Sequence, residues 1–131
     1  MSSRVSPAAD QTLDRDAARF GRNAEPFILL VLHQGRSYGY EIRSRLEGFG
    51  FRRAAREPGV VYRLLRNLEE AGLIESEWDV AGTGPARRYY RLTDLGRAQL
   101  QRGAEHLERQ ARRIQQFFEA YRQARPEGGE G

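Results

Sequence analysis

A change of hydrophobic period at Gly72 limits what this chain can fold into more than any other feature. On its N-terminal side Val61, Leu64, Leu65 and Leu68 fall within one narrow stripe at 100° per residue, the core face of a helix over about 58–71. Pro58 suits its first position, and Gly72 suits its end. Beyond Gly72, Ile74, Trp78 and Val80 alternate with Glu75, Glu77 and Asp79, which predicts a half-buried strand over 73–80 with Trp78 packed in the core. "AGTGPA" (81–86) reads as a turn and "RRYYRL" (87–92) as the returning strand of a hairpin. A helix that feeds straight into a hairpin presents its other face to solvent. That face holds Gly59, Tyr62, Arg63 and Arg66.

The upstream pattern supplies two more helices. "AEPFILLVLHQ" (24–34) predicts the first, with Asn23 as N-cap, Pro26 in the first turn and Gly35 as the stop. Its apolar run over 27–32 covers every side of a helix, so it needs burial all round, with part of the cover expected from a second copy. The second runs over about 38–47, between Ser37 and Gly48, with Ile42 and Leu46 on one face. Residues 48–56 read as a loop anchored by Phe49 and Phe51. Three helices followed by a hairpin make a winged helix-turn-helix, a mainly α fold with a small β-hairpin.

Outside that core, Leu13, Ala17 and Phe20 predict a short amphipathic helix within 10–22, and residues 1–9 and 125–131 read as disordered tails. Thr93 is placed to cap one long helix reaching Gln123. Along it Leu100, Ala104, Leu107, Ala111, Ile114, Phe118 and Tyr121 are spaced 4, 3, 4, 3, 4, 3, a seam for another helix, with Gly103 as a weak point. The expected organisation is an N-terminal extension (1–22), a winged helix-turn-helix domain (23–93), a C-terminal dimerisation helix (94–124) and a tail (125–131).

Charge is distributed unevenly. The net charge is only +4, yet every basic residue is arginine. Seven arginines between Arg43 and Arg66 face only Glu47 and Glu57, and five acids without a base follow between Glu69 and Asp79. Arg87, Arg88, Arg91 and Arg97 then stand against Asp94. Basic blocks of this kind fit an anionic polymer, or else a solvated mixed-charge surface. The absence of cysteine excludes disulfides and thiolate chemistry. The start lacks a secretory leader pattern, and the apolar run is too short to span a bilayer, so the expectation is a soluble, cytoplasmic protein.

"YGYEI" (38–42), "PGVVYRLLRNLEEAGLIESEW" (58–78) and "GPARRYYRLTDLGRAQL" (84–100) together resemble the PadR family of bacterial transcriptional regulators, over about residues 24–100. The resemblance implies a homodimer on pseudo-palindromic double-stranded DNA, usually a repressor, with the C-terminal helix making the dimer. A single such helix resembles the smaller family subclass. Two departures stand out. The recognition helix of the family often opens Ser-Pro-Gly-Thr, where this chain has Glu57, Pro58, Gly59 and Val60. Arg63 follows Tyr62 where the family often has proline.

The candidate DNA-contacting residues are therefore Tyr38, Tyr40, Gly59, Tyr62, Arg63, Arg66, Arg87 and Arg88. Arginine forks suit guanine edges or phosphate, and the pair beside the Gly-rich turn suits a wing on the backbone. The dimerisation candidates are Leu100, Leu107, Ala111, Ile114, Phe118 and Tyr121. Phe117, Phe118 and Tyr121 read as dimer core, with a small-molecule effector pocket between subunits as the alternative. His33 and His106 have no neighbouring ligands, so no metal or other cofactor is expected. No nucleophile or paired-carboxylate site points to an enzyme. The competing reading is a winged-helix adaptor that docks protein and not DNA.

Overall fold

The computed structural model describes the backbone of residues 7–82, 84–124 and 126, and side chains within that range from residue 18 onward. The elements run α1 (Pro7–His33), β1 (Ser37–Tyr38), α2 (Gly39–Gly48), α3 (Arg52–Arg56), α4 (Pro58–Glu70), β2 (Ile74–Asp79), β3 (Arg87–Leu92) and α5 (Asp94–Gln123). The three strands form one antiparallel sheet in the order β1-β3-β2. Helices with a small antiparallel wing make this a winged-helix fold. The chain divides into two compact units, one up to Leu100 and one from Gln101.

Two sequence expectations are corrected at the N-terminal end. The two short helices expected around Asn23 are a single helix, with Pro26 inside it and Asn23 exposed in mid-helix. An interior proline costs a helix roughly 3 kcal/mol through its missing N–H and its ring. Burial on both sides of Pro26 offsets that cost, because Ala24, Ile28, Leu29, Val31 and Leu32 all lie in the core. Those same residues show that the chain itself covers most of the apolar run, while Phe27 and Leu30 are only half-buried. The tail expected over 1–9 gives way to helix from Pro7. The rest of both tail expectations, Pro126 apart, falls outside the described residues.

The loop expected over 48–56 contains α3, held by aromatic anchors. Phe49 and Phe51 meet the Phe27 ring at centroid distances of 4.9 and 5.0 Å, and Phe51 meets Phe20 edge-on at 6.0 Å. Ala54 is fully buried beneath them. Helix α4 follows the predicted pattern: Val61, Leu65 and Leu68 are buried and Leu64 packs at the core edge. It ends in a Schellman motif, with Gly72 at φ 80°, its N–H on Glu69 O and the Leu73 N–H on Leu68 O.

Thr93 caps α5 as expected: its hydroxyl oxygen accepts the Gly96 N–H at 3.0 Å. The hydroxyl also lies within donating range of the Leu73 and Gly72 carbonyls. The helix then runs unbroken through Gly103. Leu100, the first seam position, packs against the chain's own core. Farther along, Ala111, Ile114, Phe117, Phe118 and Tyr121 are all exposed and Leu107 is half-buried. None of the described helices is long and apolar enough to cross a membrane.

Candidate nucleic-acid interface

The local chain geometry draws most of the predicted site residues to one place. Ser37 and Tyr38 pair with Tyr90 and Tyr89 of β3, a strand too short to show any period in the sequence. Tyr38 ends β1 just ahead of α2, and its N–H is accepted by Glu41 at 2.8 Å. Gly39 comes next, and the Tyr62 ring of α4 lies directly against it. A β-carbon at Gly39 would stand 2.5 Å from Tyr62 Cε1 and 2.9 Å from its hydroxyl. Only glycine lets Tyr62 lie flat on the start of α2. Tyr38, Gly39, Tyr40, Tyr62, Tyr90, Arg87 and Arg88 thereby line one shallow cleft of about 220 Å³. We expect Gly39→Ala to push the Tyr62 ring out of this cleft while the fold survives, since Tyr62 is a surface residue; a Tyr62 ring resonance unshifted in NMR spectra of the variant would contradict this.

The hairpin presents two different faces. Side chains of Glu75, Glu77, Asp79, Arg91, Tyr89 and Arg87 share one, and Ile74, Ser76, Trp78, Leu92, Tyr90 and Arg88 share the other. On the first face the acids are engaged. Arg91 reaches Glu75 at 3.0 Å and Glu77 at 3.5 Å, and the Tyr89 hydroxyl donates to Glu77 at 2.8 Å. Arg91 is therefore a cross-strand partner. Arg87 is different: its guanidinium lies over the Tyr38 ring at 5.2 Å and has no carboxylate in salt-bridge range among the described residues. Arg88 donates to the Ser76 hydroxyl at 2.8 Å, stands 3.8 Å from Glu69, and lies over the Trp78 ring at 5.5 Å.

Tyr38 braces the wing through its hydroxyl, which donates to Asp79 at 2.5 Å. That bond holds the Asp79 carboxyl below its usual range and raises the Tyr38 phenol above its own. The bond is charge-assisted only with Asp79 ionised and Tyr38 protonated. Its contribution is complete between the ordinary carboxylate and phenol values, about 3.9 and 10, and disappears as pH falls through the lowered Asp79 value or rises through the raised Tyr38 value. Tyr38→Phe should therefore return the Asp79 carboxyl titration, followed by carbon NMR, towards the ordinary value. An unmoved titration would show that the hydroxyl is not the cause. Tyr90 is also raised, chiefly by burial.

Tyr62, Arg63 and Arg66 are all exposed, as expected, and span about 100° of the outer side of α4. Arg66 stands 40° around α4 from Tyr62, close enough to Tyr90 to act on it electrostatically. Arg63 stands 100° away and lines a broader groove between α1, α3 and α4 with Phe20, Arg22 and Leu64. Gly59 is exposed, with open space where a side chain would be. The Glu57 carboxylate beside it is paired with Arg53 of α3 at 3.1 Å, which blunts its charge at the start of α4. Trp78, expected in the core, is 59% exposed. Alternation marked the correct side of the strand, yet the core ends before that position. A further part of the site that periodicity missed is β1, visible in sequence only as the motif around Gly39.

Aromatic rings interleaved with arginines on an exposed concave surface offer guanidinium and hydroxyl donors to an anionic chain. The sequence model of the PadR-like family of transcriptional regulators matches residues 28–102, more than half of the chain. The chain belongs to the PadR family. As a PadR-family chain it is a transcriptional regulator, in a family whose members are not enzymes. It is 37% identical over 89 residues to the transcriptional regulator Rv3488 of Mycobacterium tuberculosis, covering 66% of this chain and 79% of that one. An uncharacterised protein of Lysinibacillus sphaericus is 32% identical over 73 residues, 56% of this chain; the match spans 66% of that relative's length, just under two thirds. Among solved structures, a PadR family regulator from Eggerthella lenta superposes with a TM-score of 0.59 at 29% identity, covering 87% of this chain and 98% of its own. A PadR-like transcription factor from Bacteroides fragilis gives 0.62 at 27%, covering 79% and 96%.

Proposed function

We propose that this PadR-family regulator binds double-stranded DNA as a homodimer and represses transcription from a pseudo-palindromic operator in the cytoplasm. The observation that carries this reading is the convergence of Tyr62, Tyr38, Tyr40, Arg87 and Arg88 on one exposed cleft, with Arg66 beside it on α4. In this reading α4 enters the major groove while the hairpin rests on the adjoining backbone. Arg63, Arg66 and Gly59 then face the groove from the exposed surface of α4, and the exposed seam of α5 joins two copies so that two recognition helices meet two half-sites.

Selection from a randomised duplex library tests the proposal. The wild-type protein should enrich a two-fold symmetric motif with half-sites about one helical turn apart, ~34–36 Å. Arg63→Ala should relax the preference at one base position per half-site and cost ~1–3 kcal/mol on the enriched site. If the folded protein enriches no duplex and instead captures a protein partner through α4, the adaptor reading replaces this one.

A further inference from the structure

The exposed tryptophan belongs to the same surface. Ile74, Ser76 and Trp78 project from one side of β2, opposite Leu92, Tyr90 and Arg88 of β3. This is the side that α4 covers: Ile74, Tyr90 and Leu92 are buried there, and the Ser76 hydroxyl donates to Glu69 of α4 at 2.8 Å. Past Ser76 the cover ends. Trp78 is 59% exposed and Val80 beyond it 74%. An indole left uncovered next to the recognition helix forfeits burial that a core position would provide. Among the described residues its one cation partner is Arg88, whose guanidinium lies 5.5 Å from the ring centroid and lines the cleft with Tyr62.

Charge decides what fits against this surface. Glu75, Glu77 and Asp79 lie on the opposite side of the strand, where Arg91, Tyr89 and Tyr38 engage them. Glu69, on the Trp78 side, is tied to Ser76 and lies 3.8 Å from Arg88. What remains outermost is an indole over the Arg88 guanidinium, whose charge Glu69 only partly balances from 3.8 Å.

We propose that Trp78 is a contact to the DNA backbone at the wing, packing its ring on deoxyribose and donating its indole N–H to a phosphate oxygen. The inference rests on the DNA-binding reading above and extends the contact surface along β2 beyond Arg88. Sugar and phosphate are the same at every base pair, so this contact holds the duplex without reading it.

Trp78 is the only tryptophan in the chain, so its fluorescence reports this contact alone. Titrating the wild-type protein with duplex, while a labelled duplex follows binding by anisotropy, should quench or shift the indole emission in step with saturation. Trp78→Ala should weaken selected and random duplex alike, by about tenfold for each wing engaged, the size of one charge-assisted hydrogen bond. Trp78→Phe, which keeps a ring but no N–H, should fall between. Duplex binding with unchanged emission, or Trp78→Ala binding as tightly as wild type, overturns the inference and leaves the DNA-binding reading standing. A wild-type protein that binds no duplex removes both.

Discussion

Gly96→Ala should destabilise this protein by about 3 kcal/mol or more, enough to lower its melting midpoint by roughly 10 °C. A β-carbon at Gly96 would stand 2.6 Å from Leu92 Cδ1 and 3.1 Å from the Leu73 carbonyl carbon, nearer still to the Leu73 oxygen. None of these neighbours is free to retreat. The Leu73 carbonyl accepts the Thr93 N–H at 3.1 Å and is also in range of the Thr93 hydroxyl, while Leu92 is buried in the core. The first turn of α5 is thus clamped against the start of β2, where the hairpin and the helix leave the core together. Gly59→Ala is the matching control: nothing lies within 4 Å of the added carbon, and alanine is the better helix former by ~1 kcal/mol. Thermal unfolding should show a large fall for the first variant and no fall for the second. Equal midpoints would mean that α5 does not pack on Leu73 as described.

The second large effect is on assembly. Leu107→Asp combined with Ile114→Asp should convert the proposed dimer into monomer or aggregate in sedimentation equilibrium. Ile114, Phe117, Phe118 and Tyr121 are 52%, 62%, 44% and 69% exposed in the single chain, a large apolar stripe for a helix otherwise rich in charge. Two carboxylates placed in a helix–helix seam would each cost several kcal/mol to desolvate without partners. The core up to Leu100 lies outside the substituted segment, so far-ultraviolet circular dichroism should retain its helical signal. A double variant that sediments as a folded dimer would place the subunit interface elsewhere.

Where one period held over a whole element, the sequence was sufficient. The stripe through Val61, Leu65 and Leu68 fixed α4, Gly72 fixed its end, and Thr93 fixed the start of α5, because each depends on neighbours within a few residues. Long-range packing was less visible. Pro26 reads as a helix start, and only burial of Ala24 and Ile28 on either side keeps the helix continuous through it. The α3 turn depends on Phe49 and Phe51 reaching Phe27, across a separation that no local pattern encodes. Alternation placed Trp78 on the right side of β2 but could not show where the cover above it stops. At the site, exposure of Tyr62, Arg63 and Arg66 was legible, whereas the reason for Gly39 was not. That glycine answers to a ring 23 positions away, a separation that no local period encodes.

If the surface formed by α4 and the wing holds a polyanion, duplex binding by the wild-type protein must depend steeply on salt. Fluorescence anisotropy over roughly 50–200 mM salt measures that dependence directly. Each phosphate neutralised contributes about −0.9 to the slope of log affinity against log salt, so a dimer gripping six or more phosphates should give a slope of about −5 or steeper. Arg88→Ala should flatten that slope by about one unit for each phosphate that the wing no longer neutralises. A folded protein that binds no duplex at the lowest salt, or binds it with a flat slope unaltered by Arg88→Ala, would contradict a polyanion-binding role for this surface.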